Sequence, residues 1–131
     1  MSMTSENAIP AVEPGPGEAL IVDVDGYEGP LDVLLALARA QKVDLRKISI
    51  LALAEQYLLF IQAARVKQLD LAADYLVMAS WLAYLKSKLL LPEPEADGEP
   101  SAEELAERLT LQLQRLEAIR IAATRLMARD R

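Results

Sequence analysis

Cysteine and histidine are both absent from the 131 residues of this chain. Without cysteine there can be no disulfide and no thiolate metal site. Without histidine the commonest general base is gone, and with it the Ser-His-Asp arrangement and most zinc and iron sites. Catalysis would fall to Asp, Glu, Lys, Tyr or Ser. No cluster of these stands out, so we expect no enzyme activity and no cofactor. Large aromatics are scarce, with one Phe and one Trp. The longest apolar run is interrupted by Asp74 and Ser80 and falls short of the roughly 20 residues that a membrane-spanning helix needs. Residues 1–18 carry no basic residue, so the charged start of a signal peptide is missing. These absences predict a soluble, cytoplasmic protein. Leu and Ala dominate what is present, and both favour helices over sheets.

The net charge of −6 is unevenly spread. Residues 1–29 hold six acids and no base, and residues 92–100 hold four acids and no base. Between them, residues 30–91 carry eight bases and five acids, and residues 101–131 carry six bases and five acids. The acidity therefore sits in a tail and a linker rather than in the folded parts. A chain of this kind is a poor direct binder of nucleic acid.

The expected fold class is all-α, with a short N-terminal strand, a three-helix N-terminal domain, an acidic linker and then a fourth helix. Residues 1–19, rich in Pro and Gly, read as a disordered tail. Residues 20–24 (Leu-Ile-Val-Asp-Val) have the β-branched pattern of a strand whose pairing partner is not evident. Gly29-Pro30 opens the first helix, since Pro at the first helical position loses no hydrogen bond. Its inward face is Leu31, Leu34, Leu35 and Ala38. A second helix is expected from Ser49 to Val66, and a third from an N-cap at Asp70 to about Leu90, before Pro92. Residues 20–91 form one domain in this reading. Residues 92–100 (Pro-Glu-Pro-Glu-Ala-Asp-Gly-Glu-Pro) form a semi-stiff linker. Residues 101–131 begin with a capping box, Ser101 and Glu104, and continue as a helix with no stop signal, which suggests that the natural chain goes on.

The third helix is apolar on nearly all sides. Leu71, Tyr75, Met78, Leu82, Leu85 and Leu89 follow the 4-3-4-3-4 spacing of a coiled-coil seam. Leu76, Val77, Trp81 and Tyr84 fill most of the remaining circumference. A helix packed on one neighbour needs one stripe, about 100° wide; this one has two. Either both are internal core, or one awaits a partner, and the sequence does not distinguish the two faces. The fourth helix carries one narrow stripe (Leu105, Leu109, Leu116, Ile119, Leu126) and would not be stable alone. Sharper readings of other residues are outweighed by bland ones. Arg39, Lys42, Arg46 and Lys47 read as a solvated helix end rather than a phosphate site. Asp23, Asp25, Glu28 and Asp32 match no metal-loop spacing.

Two stretches carry a resemblance. Residues 27–35 (Tyr-Glu-Gly-Pro-Leu-Asp-Val-Leu-Leu) resemble the opening signature of bacterial kleisins, the segregation and condensation protein A family. Residues 75–79 (Tyr-Leu-Val-Met-Ala) and 85–92 (Leu-Lys-Ser-Lys-Leu-Leu-Leu-Pro) resemble its second signature, and residues 55–58 between them also fit. The resemblance implies a non-enzymatic subunit of the SMC condensin complex, associated with the nucleoid. Its N-terminal helical domain would dock on the head-proximal coiled coil, or neck, of one SMC subunit. The expected contacts there are Leu71, Tyr75, Met78, Leu82 and Leu85. The fourth helix would begin the segment that grips a dimer of segregation and condensation protein B, through Leu109, Leu113, Leu116 and Ile119. The winged helix that binds the second SMC head in this family is not evident here. The alternative is a self-associating helical scaffold unrelated to chromosomes.

Overall fold

A computed structural model describes residues 28–91 and 98–129. Among these residues all regular structure is helical: α1 (Pro30–Ala40), a short 3-10 turn (Leu45–Lys47), α2 (Ile50–Val66), α3 (Ala73–Leu90) and α4 (Ala102–Arg129). The strand expected at residues 20–24 lies outside the described residues.

Each helix starts and stops for an identifiable local reason. Pro30 occupies the first position of α1, after Gly29. Ser49 caps α2, its hydroxyl accepting from the Ala52 N–H at 3.1 Å. The Gln41 side chain braces the same corner by donating to the Ser49 carbonyl and accepting from the Ser49 N–H. The α2 terminus closes in a Schellman arrangement. The Leu69 N–H reaches the Ala64 carbonyl at 2.9 Å, and Gln68 takes a left-handed φ of 58°. Asp70 is not a cap. α3 starts later, after Ala72, with no side-chain hydrogen bond at its cap. The capping box of α4 forms in both directions, Ser101 N–H to Glu104 and Glu104 N–H to Ser101 Oγ, each at 3.1 Å. Ser101→Ala is expected to cost about 1 kcal/mol, read as a lowered melting temperature with the helical signal otherwise unchanged.

The core lies between α1, α2 and α3 and is closed by α4. α1 contributes Val33, Leu34, Leu35, Leu37 and Ala38. α2 contributes Ile50, Leu53, Ala54, Tyr57, Phe60, Ile61 and Ala64, so its Ile50–Leu53–Tyr57–Phe60 side faces inward. Leu109 and Leu113 of α4 belong to the same core cluster. The fourth helix thus packs on α1, α3 and the 3-10 turn.

Tyr57, Phe60 and Tyr75 form the aromatic centre, with successive ring centroids 5.8 and 6.3 Å apart in tilted pairs. The Tyr57 hydroxyl donates to the Tyr75 carbonyl at 2.9 Å. Burial pushes this phenol well above the ordinary tyrosine range, with a smaller push from Tyr75. The folded state therefore keeps a proton that the unfolded chain gives up near pH 10. Stability from this site is complete below about pH 10 and is lost as pH rises above it. In an alkaline absorbance titration Tyr57 is expected to ionise only with unfolding.

Candidate partner-binding faces

α3 has an inner and an outer face, and both are apolar. The inner face is the seam singled out in the sequence. Tyr75, Leu82 and Leu85 are buried in the chain's own core, and Leu71, Met78 and Leu89 pack partly against it. Three of the five residues expected to touch a partner are therefore covered internally. The physical reason is that α1, α2 and α4 converge on this side of α3 and fill the holes of its seam.

The outer face is the second stripe. Ala73, Val77, Ser80, Tyr84, Ser87 and the terminal Leu91 repeat the 4-3-4-3-4 spacing on the opposite side, and all are exposed. Leu76 and Ala83 lie beside them, also exposed. Val77 is 67% and Tyr84 51% accessible. None of these eight residues is charged. The nearest cation, Lys88, lies at the edge, its ammonium 5.4 Å from the Tyr84 ring centroid and 3.4 Å from the Pro100 carbonyl. Small residues at 80, 83 and 87 leave the α3 backbone open to close approach by another helix. Burying each large side chain would contribute roughly 1.5–3 kcal/mol.

Two grooves flank this face. One lies between α2 and the start of α3. Its two parts, of about 540 and 430 Å³, share Ile61, Arg65 and Ala79, and Leu76 and Ser80 reach into it. The other, about 670 Å³, opens between the start of α1, α3 and α4. Val77, Met78, Trp81 and Leu116 line it, with Asp74 and Arg120 among its polar residues.

The α4 candidates divide along the helix. Leu109 and Leu113 are buried, Leu116 is partly buried, and Ile119 is exposed. Leu109 and Leu113 face this chain's own core, because α4 lays its first turns across α1 and α3. Long-range ion pairs accompany that placement. Arg120 donates to Glu28 at 2.6 Å and to the largely buried Asp32 at 2.5 Å, and Arg39 pairs with Glu117 at 3.5 Å. Glu28 and Asp32 thus face a guanidinium. Arg46 folds back on Asp44, holding that carboxyl down at about 2. Sequence spacing gave no sign of the Arg120 clasp, since its partners lie 92 and 88 residues away.

A family model described as "Segregation and condensation protein ScpA" matches residues 37–130. The chain belongs to this family. Relatives named "Segregation and condensation protein A" include those of Coxiella burnetii, 42% identical over 82% of this chain, and Bacillus subtilis, 42% identical over 67% of it. The Lactiplantibacillus plantarum protein of the same name is 45% identical over 61% of the chain. These matches span 40%, 38% and 31% of the respective relatives. The chain thus spans less than half the length of these relatives, and the shared stretch is kleisin-type. Among the described residues no helix is long and apolar enough to cross a membrane.

Proposed function

We propose that this part of a segregation and condensation protein A is a non-enzymatic docking unit of the SMC condensin complex. It binds the SMC neck through the outer face of α3 and bridges to segregation and condensation protein B through α4. It works in the cytoplasm on the nucleoid, with no catalytic step and no sequence-specific contact to DNA.

The observation that carries this reading is the exposed, uncharged second seam along α3, centred on Val77, Ser80 and Tyr84. A coiled-coil neck offers holes at the matching heptad spacing, and small residues at 80, 83 and 87 let its helices come close. The α2–α3 groove widens the surface from one stripe to two walls, so the joint structure would be a helical bundle. The family resemblance at residues 27–35 and 75–92 supports the choice of an SMC neck over other coiled coils.

The test mixes the full chain with a purified SMC head-and-neck fragment and follows mass by size-exclusion chromatography with light scattering. The expected result is a monomer alone and a complex with the fragment. A defined homo-oligomer at micromolar concentration that ignores the fragment would overturn the reading in favour of a self-associating scaffold.

A further inference from the structure

The last turns of α4 carry an apolar stripe that none of the described residues covers. Ile119, Ala122, Ala123, Leu126 and Met127 are all exposed, Leu126 at 61% and Met127 at 64%. Their spacing places them within about 140° of the helix circumference. That is wider than the seam of a two-stranded coil and calls for a groove with two walls. Arg125 and Arg129 border the stripe along one edge, and Arg120 on the other edge is already engaged with Glu28 and Asp32. Residues 118–129 contain these three cations and no acid, whereas residues 103, 104 and 107 at the opposite end of α4 are glutamates. A cation also suits a helix C-terminus, but that effect fades within the last turn. Arg125 lies a turn further in.

We infer that this end of α4 inserts into an apolar groove with an acidic rim on a protein partner. The inference rests on the reading of α4 as the segment that grips segregation and condensation protein B, and it specifies the chemistry of the site on that partner. A second copy of this helix is a poor occupant, because it would set arginine edges against each other. An anionic membrane fits less well: the stripe is rich in Ala and lacks the Trp and Phe typical of helices that lie in the lipid interface. Nucleic acid would pair with the arginines and leave the stripe uncovered.

The experiment measures affinity of the full chain for the purified B protein at low and moderate salt, for Arg125→Glu/Arg129→Glu and for Leu126→Asp. Both variants change exposed residues outside the core, so melting and helicity should match the parent. We expect Leu126→Asp to lose binding. We expect the double charge reversal to weaken it at least tenfold at low salt, with most of the salt dependence removed. If Leu126→Asp loses binding while the charge reversal stays within twofold of the parent, the acidic rim is wrong and the reading of α4 stands. If both bind like the parent, the reading of α4 itself is wrong. Tighter binding to duplex DNA or to vesicles containing phosphatidylglycerol than to the B protein, lost in the same variants, would also overturn the inference.

Discussion

Leu82→Glu is expected to abolish the cooperative melting of this protein. Leu82 is fully buried where α3 meets the core. Removing its side chain alone would cost about 2–5 kcal/mol. A carboxylate in its place is desolvated among hydrocarbon, which adds several kcal/mol more. A domain of this size has only about 5–15 kcal/mol in hand. Circular dichroism should show lost helix and no sigmoidal transition, and SMC binding should disappear with the fold. A native-like melting curve would mean that the inner seam is not core.

The paired substitution Val77→Glu/Tyr84→Glu should do the reverse. Both side chains lie on the outer face of α3, where a carboxylate stays hydrated. Each change should alter monomer stability by no more than about 0.5 kcal/mol. The proposed SMC interface, by contrast, would have to bury two unpaired carboxylates and forgo two apolar anchors. Binding should fall by roughly 100-fold or more, since each lost 1.4 kcal/mol is a factor of ten. Titration calorimetry with the SMC head-and-neck fragment checks the affinity, and thermal melting checks the fold. Unchanged affinity in a folded variant would remove the outer face from the site. Only the contrast between the two experiments separates a lost surface from a lost structure.

Local signals in the sequence carried well into the structure. The Gly29-Pro30 start, the Ser49 boundary and the Ser101–Glu104 box all appear as read, because each depends on neighbours within four residues. Asp70 failed as a cap because the closing turn of α2 runs on through Leu69, and α3 begins only after Ala72. The orientation of α3 was beyond local reasoning for a different cause. Two stripes share one spacing and similar oiliness, so periodicity ranks them equally. What breaks the tie is the set of helices that packs first, and that depends on contacts far apart in sequence. Small residues on the outer stripe were the available clue: Ser80, Ala83 and Ser87 are poor core fillers but suit close approach by another helix. For α4, the heptad pattern put Leu109, Leu116 and Ile119 on one side without revealing that Leu109 is buried in this chain's own core while Ile119 is exposed. The charges that accompany this placement sit at opposite ends of the described chain.

The clasp between Arg120 and the start of α1 also has a mechanical side. α4 is 28 residues long, about 42 Å at the usual rise, and its exposed end reaches past its anchorage. A tug on that end would run down the rod and arrive first at Arg120, then at the Leu109 and Leu113 contacts, before any tension reached residues 92–100. Load applied to that end is met first by the ion pairs that tie Arg120 to Glu28 and Asp32 at the start of α1.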